Sequence, residues 1–312
     1  MKKAAEKTHQ RFLDLPPTIS EKEADKIEQE RLAIVRKSNK LIRKFRAEMN
    51  TAQYKITLYL ISKAYTLEND LKFTMTIQGF CKCCGLDYEN GYYYRRIKQD
   101  ILELANKGQW MELYGQPGKT RIMRLIYDAE INENSGTITL FLDEKIKPYI
   151  LFLREQYENK GELYTQFALL YTLPMRSLYS IRLYELLKSW ATEQSAEQGH
   201  FWTIEELQKI LGSNYDRYPD FRRKVIEKAV PEINEYTDLT VEYEPIKQGR
   251  SYKYINFYIR TKSDREQLDT KINNSRKLDD MQITFDDLLQ AQEQRAKLDE
   301  ILRKAGAPLD DE

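Results

Sequence analysis

An α+β fold of two tandem winged-helix domains with a charged C-terminal tail is predicted by three features of this 312-residue chain. A helix–glycine-turn–helix pattern occurs twice. Strand-like runs separated by a tight turn follow each copy. A polar stretch with an acidic end closes the sequence. In the first copy, Thr76-Ile77 leads to Gly85 and on to Tyr92-Tyr93-Tyr94-Arg95-Arg96-Ile97. In the second, Thr203-Ile204 leads at the same spacing to Gly212, then to Tyr218 and Phe221-Arg222-Arg223-Lys224-Val225. Helix, glycine turn, helix is the helix-turn-helix unit, and a hairpin after it makes a winged helix. Two copies predict a duplicated DNA-reading domain.

The elements follow in order. Residues 1–19 are polar with Pro16-Pro17 and read as a mobile arm. Ser20 to Glu23 has capping-box spacing and starts a charged helix. Arg31 to Arg46 holds seven basic and no acidic residues; its few apolar residues leave helix or strand open. Residues 51–66 have Ile56, Tyr59, Leu60, Lys63 and Ala64 near helical spacing. Thr76–Cys84 is the first short helix, Gly85-Leu86-Asp87 its turn, and Tyr92–Asn106 the second helix, closed by Lys107-Gly108. Strands are expected at Trp110–Tyr114, Thr120–Tyr127 and Thr137–Leu142, with turns at 115–118 and 132–136.

Residues 144–171 read as helical, with Pro148 early and Gly161 as an interruption. Pro174 marks the domain junction. Leu178–Trp190 is a strongly apolar helix. Thr203 and Glu206 form a capping box for the second short helix. Phe221–Asn234 follows, with Pro231 expected to kink or shorten it. Val241–Tyr243 and Tyr252–Ile259 are strands joined through Lys247-Gln248-Gly249-Arg250. Lys262–Lys277 reads as a linker, and Asp286–Lys304 as a final helix with one apolar face. The expected division is 1–30 (arm and charged helix), 31–172 (first winged helix), 173–262 (second winged helix) and 263–312 (linker and tail).

Composition narrows the function. Apolar residues make up 41% of the chain, enough for two cores, and 32% of residues are charged. A net charge of +1 decides nothing about a polyanionic partner, so distribution matters more. The sequence lacks an apolar run long enough to cross a membrane and a signal-peptide pattern. Cys81, Cys83 and Cys84 are an odd, clustered set, poor for disulfides. A cytoplasmic location is therefore expected, without membrane contact.

Helical periodicity places Phe221, Val225, Ala229 and Ile233 on one face of the second reading helix. Arg223 and Glu227 then point away, with Lys224 at the edge. In the first unit Tyr93, Ile97, Ile101 and Leu104 share a face, Arg95 and Gln99 point away, and Arg96 lies at the edge. Arg and Lys offer donors to guanine and phosphate, Gln pairs with adenine, and Glu accepts from cytosine. Lys119 and Arg121 flank the expected first wing turn; Lys247, Arg250 and Lys253 flank the second. Cations there suit phosphate contacts. Arg217, Arg222, Arg223, Lys224 and Lys228 are the denser set, so the second domain is expected to dominate sequence reading. The plain alternatives are a solvated charged face and charge protection of strand edges.

Three other chemistries fit less well. Gly115-Gln-Pro-Gly118-Lys119-Thr120 has two residues between its glycines and a strand after it, whereas a nucleotide-binding loop needs four and a helix. The cysteine cluster lacks a second pair, and His9 and His200 are remote, so buried packing is favoured over zinc. A DNA-nicking tyrosine would need a metal-binding histidine pair; the chain has 22 tyrosines and no such pair. No cofactor, metal or catalytic residue is expected.

Four stretches resemble the iteron-binding plasmid replication initiators, the twin winged-helix Rep proteins: Val35–Ile42, Leu58–Lys63, Ser177–Leu187, and Phe221–Asn234 with Gly249-Arg250 and Ile255–Phe257. The likeness spans about residues 30–260 and omits the tail. It implies a non-enzymatic initiator that binds direct repeats in double-stranded origin DNA, helps melt an AT-rich segment, and recruits the host initiator and replicative helicase. It also implies a monomer–dimer switch carried by the domain interface and first domain, with dimers repressing their own gene. A repressor without an initiation role, or a nicking initiator, is the alternative. The tail is expected to serve assembly or host-protein contact and not to touch DNA, because its carboxylates would be repelled by phosphate; a disordered solubilising tail is the alternative.

Overall fold

The computed structural model describes residues 21–46, 48–64, 72–86, 91–106, 109–112 and 120–281, with the backbone alone at 21, 45–46, 109–112 and 120–123. The arm at 1–19, Ser20, the turn at 115–118 with Lys119, and the Asp286–Lys304 segment lie outside these residues.

The first domain opens with α1 (Glu21–Arg31), β1 (Ile34–Ser38), α2 (Asn39–Lys44), β2 (Phe45–Arg46) and α3 (Thr51–Ala64). The winged-helix unit follows: β3 (Lys72–Thr76), α4 (Ile77–Cys83), α5 (Tyr92–Asn106), then the strands β4 (Gln109–Glu112), β5 (Thr120–Met123), β6 (Ile126–Asn132) and β7 (Thr137–Leu142). α6 (Lys147–Ile150), α7 (Leu153–Lys160) and β8 (Tyr164–Ala168) lead to the second domain. That domain contains α8 (Leu178–Lys188), α9 (Glu193–Glu197), β9 (His200–Thr203), α10 (Ile204–Leu211) and α11, then β10 (Leu239–Gln248) and β11 (Ser251–Thr261). α11 runs from Tyr218–Phe221 through a π-helical turn at Arg222–Ile226 into Glu227–Tyr236. A further helix, α12, spans 264–281.

The two halves share one topology. In the second domain the sheet order is β10-β11-β9, so the strand before the short helix pairs with the outgoing strand of the hairpin. In the first domain β3-β7-β6 repeats that order. The strand equivalent of the second wing is therefore β6–β7, with its turn at 133–136. Residues 115–118 fall instead between β4 and β5, which pair antiparallel as an inserted unit on β2. This corrects the expected single strand over Thr120–Tyr127 and the position of the first wing. Chain order cannot show which of two successive hairpins pairs with a strand upstream; backbone hydrogen bonding decides it.

Four other expectations resolve differently or more sharply. Arg31–Arg46 runs from the end of α1 through β1 and α2 into β2. Residues 144–171 are not one helix. The chain breaks at Phe152, held at φ 54°, and at Gly161. The alternating Thr165 and Phe167 then turn inward as β8 pairs antiparallel with β1. Pro231 does not end α11, which continues to Tyr236. Residues 262–277 are not a linker, because α12 begins there with a capping pair, Ser263 N donating to Glu266 Oε2 at 2.7 Å.

α12 escapes an apolar-periodicity reading because its inward face is mostly polar: Thr270, Asn274 and Ser275 are buried with Leu278. Asn274 Nδ2 donates to the carbonyls of Tyr236 (2.7 Å) and Leu170 (3.4 Å). Arg31, only 2% exposed, donates from Nη1 to Asp279 Oδ1 (2.6 Å) and from Nε to the Cys83 carbonyl (3.0 Å). The helix thus joins both domains to α1. Gly85, at φ 67°, is required here: a Cβ would lie 2.4 Å from the Leu278 carbonyl oxygen.

One contiguous buried apolar cluster runs from Val35 through both domains to Leu278. Within it a polar contact joins β1, α3 and α8. Lys37 Nζ donates to both Glu185 oxygens (2.8 and 2.9 Å), and Tyr54 OH donates to Glu185 Oε2 (2.5 Å). All three residues are buried. Burial alone would lower the Lys37 pKa, but the facing Glu185 and Tyr54 raise it, so the ammonium stays charged. Removing one member strands the other in a low-dielectric interior. Lys37→Met or Glu185→Gln should each cost about 3–5 kcal/mol in urea unfolding, and Lys37→Met with Glu185→Leu clearly less than either single change. A double variant as damaged as the sum would show that the pair is not energetically coupled.

The chain cut after 281 should keep the full melting temperature. The chain cut after 262 should lose about 3 kcal/mol or more, because Arg31 and the seat of Leu278 lose their partners. Equal melting temperatures for the two truncations would show that α12 contributes nothing to the fold.

Candidate nucleic-acid interface

α11 buries Phe221, Val225, Ile226, Ala229 and Ile233. The π-helical turn, in which Glu227 N–H donates to the Arg222 carbonyl, lets the adjacent Val225 and Ile226 both face inward. Turns of this kind occur often at functional positions in helices. Arg223, Lys224, Glu227 and Lys228 remain exposed. α11 therefore presents a short reading face with three cations and one carboxylate.

Several of these cations already hold acidic partners. Asp220 lies between two arginines: its Oδ1 is 3.1 Å from Arg223 Nη2 and its Oδ2 is 3.9 Å from Arg217 Nε. Arg222 Nε lies 3.0 Å from Glu227 Oε1. Lys224 sits over the Tyr215 ring at 5.2 Å. Pairs this exposed contribute about 0–1 kcal/mol, so a phosphate or base edge can replace the carboxylate at little cost. Until then the carboxylates hold the guanidinium groups in place. Asp220 was not singled out by the sequence pattern; its spacing from Arg223 (i, i+3) is the signal that could have found it.

The second wing stands beside this helix. β10 and β11 close through Gly249-Arg250, with Lys247 opposite Tyr252 and Gln248 opposite Ser251. Tyr218, at the start of α11, packs on Tyr252 with ring centroids 4.8 Å apart. Lys247 lies over the Tyr252 ring at 4.9 Å, Arg250 is exposed at the tip, and Lys253 pairs with Glu205 at 2.9 Å. The start of α11 and the wing therefore meet at Tyr218 and Tyr252, and both elements carry exposed cations. Burial pushes the Tyr218 phenol up to about 12, and Tyr179 and Tyr243 are raised for the same first reason. Burial therefore disfavours the phenolate form of all three.

The first domain offers less. Ile97, Ile101 and Leu104 are buried on α5, while Arg95, Arg96 and Gln99 are exposed. Gln99 Nε2 donates to Glu103 Oε1 (3.1 Å). Arg96 Nε reaches Asp100 Oδ2 (3.3 Å). Asp100 is buried and accepts from Asn50 (2.7 Å) and Gln53 (3.2 Å), so it ties α5 to the start of α3. The β6–β7 turn carries Glu133, which pairs with Lys98 of α5. That wing turn is acidic where the second is basic. Lys119 lies outside the described residues, and of Arg121 only the backbone is described, on the inserted hairpin.

The glycine of the second turn has a defined role. Gly212 caps α10 at φ 72°, and a Cβ would lie 2.6 Å from Arg182 Nη1. Arg182 donates from the same nitrogen to the Leu211 carbonyl (3.0 Å) and lies over the Tyr54 ring at 5.6 Å. The helix-turn-helix corner is thereby fixed to the buried contact between the domains. The three cysteines are buried, and burial pushes the Cys83 and Cys84 thiols up, as expected for packing residues. Among the described residues no helix is long and apolar enough to cross a membrane.

Comparison with known proteins agrees with this architecture. Residues 34–188 match the family model described as "Initiator Replication protein, WH1", and residues 203–259 match "Initiator Rep protein, WH2". A solved structure of the same fold is the Pi initiator protein in complex with iteron DNA, with a TM-score of 0.59 and 19% identity over 75% of this chain and 99% of that one. Two initiator domain models, matched in order over most of the chain and on a shared twin winged-helix plan, show that the chain belongs to the replication initiator family.

Proposed function

We propose that this protein initiates plasmid replication by binding directly repeated origin sequences, with α11 and α5 in successive major grooves and the second wing on phosphate. The observation that carries this reading is the packing of the cation-bearing α11 on the cation-bearing β10–β11 hairpin, set in a chain whose halves both match initiator domains. The Pi initiator, a protein of the same fold, is recorded with iteron DNA, which favours repeats as the target. Phosphate contacts fix the register, and Arg223, Glu227, Arg95 and Gln99 read bases. Lys224, Lys228, Arg217, Arg222, Arg96, Lys247, Arg250 and Lys253 are assigned to the backbone or the edge of the groove. Lys119 and Arg121 are assigned to phosphate contacts on the inserted hairpin. Bound protein then helps open adjacent DNA and recruits the host initiator and helicase, without a catalytic step of its own. Self-association of the first domain would regulate this activity.

A footprint on the DNA beside the gene tests the reading, together with replication of an origin fragment that depends on supplying the protein. Binding with repression but no replication would leave a repressor instead.

Arg223→Ala should lose roughly 1–3 kcal/mol of binding and relax preference at one base position, as read from titrations against singly substituted repeats. Uniform weakening across all sequences would reassign Arg223 to phosphate. Despite the net charge of +1, about six to ten phosphate contacts should make affinity fall by orders of magnitude between roughly 50 and 200 mM salt. A flat log–log plot of affinity against salt would rule out docking by both domains.

A further inference from the structure

Two reading helices in successive major grooves stand about one helical turn of DNA, roughly 34 Å, apart. Between them the duplex must carry its minor groove and both phosphate strands past the junction of the domains. The sign of that junction therefore matters as much as the sign of the helices.

The junction is an open cleft of about 1250 Å³. The residues leading into α3 form its first-domain wall. The second-domain wall comes from the start of α8, from α10 with its glycine turn, and from one face of α11. Five cationic side chains line it, Arg176, Arg182, Lys209, Lys224 and Lys228, against two carboxylates, Glu48 and Glu232. Arg182 is buried and committed to the Leu211 carbonyl. Glu232 is also committed, accepting from the backbone N–H groups of Arg176 (3.0 Å) and Ser177 (3.5 Å). Four of the cations, Arg176, Lys209, Lys224 and Lys228, and the carboxylate of Glu48 are exposed to solvent. Lys224 and Lys228 sit one turn apart on the reading helix, so the cleft continues the α11 patch toward the first domain. Across it, Thr51 Oγ1 donates to the Arg176 carbonyl (3.4 Å), which holds the two walls together.

We propose that this cleft is a third DNA-contacting surface, in which Arg176 and Lys209 clamp the phosphates of the segment between the two grooves. The proposal rests on the DNA-binding reading above and extends it to residues that neither reading helix nor wing contains. The chemistry recognised is the duplex backbone, independent of base sequence. The clamp lies beside Arg182, so backbone binding is sensitive to the angle between the domains. It thereby reports whether both domains are docked on one duplex.

The test uses the full chain and an origin repeat. Arg176→Gln with Lys209→Gln should reduce affinity about tenfold or more, equally for wild-type and base-substituted repeats, and should lower the log–log salt slope by about two. Arg176→Lys in place of Arg176→Gln, with Lys209→Gln kept, retains one of the two charges and should restore about half of that change. Both side chains are exposed, so an unchanged melting temperature checks folding. Neutral methylphosphonate linkages placed between the two footprints should weaken the wild-type protein and leave the double variant unaffected. If the double variant binds with unchanged affinity and slope while the wild type protects the repeat, the clamp is overturned and the DNA-binding reading stands. If the wild type protects no repeat at all, both fall together.

Discussion

Lys37, Tyr54 and Glu185 meet in the interior, and the rest of the molecule is arranged around that meeting. A lysine on a strand, a tyrosine on the first core helix and a glutamate on the helix that opens the second domain are all buried, within 2.5–3.1 Å of one another. Such a contact is a weak source of net stability, since desolvation offsets much of the attraction. Its consequence is geometric. Charges buried this deeply tolerate few alternative arrangements, so the angle between α3 and α8 is tightly set. Arg182, one helical turn before the position of Glu185 on α8, carries that constraint to the Gly212 corner through the Leu211 carbonyl. The second reading helix is positioned from inside the first domain.

Residues from both ends of the described chain reinforce the same joint. Arg31 of α1 donates to Asp279 of α12 and to the carbonyl of Cys83, beside the first glycine turn. Asn274 takes carbonyls from the second domain and from the connection between domains. Each helix-turn-helix corner is thus braced by a distant element, Gly85 by the backbone of α12 and Gly212 by Arg182. The sequence repeat is matched by repeated bracing, although the bracing elements are unrelated.

The cations on and beside α11 show a second regularity. Arg217 and Arg223 share Asp220, Arg222 has Glu227, and Lys253 has Glu205. Local neutralisation of this kind explains how a chain of net charge +1 can carry a local concentration of cations. The carboxylates weaken attraction to arbitrary polyanions. A backbone or base that meets the guanidinium groups in the right geometry displaces them at small cost, because the pairs are exposed and screened.

The sequence by itself determined the two helix–glycine-turn–helix units and the buried faces of α5 and α11. Thr203 with Glu206, the two glycines, and the periodicity of Phe221, Val225, Ala229 and Ile233 are short-range signals, and the structure places those residues in those roles. Charge density around Arg222 and Arg223 was equally visible. Only the tertiary structure decided which hairpin pairs with β3, because strand pairing is a long-range hydrogen-bonding choice. It also revealed α12, whose buried face of Thr270, Asn274 and Ser275 lacks the apolar rhythm that marks a packed helix, although Ser263 and Glu266 had the spacing of a cap. It brought Arg176 and Lys209 into one cleft with Lys224 and Lys228. Those four side chains come from α10, α11 and the segment that leads into α8, and no pattern along one segment can record residues brought together by the packing of three.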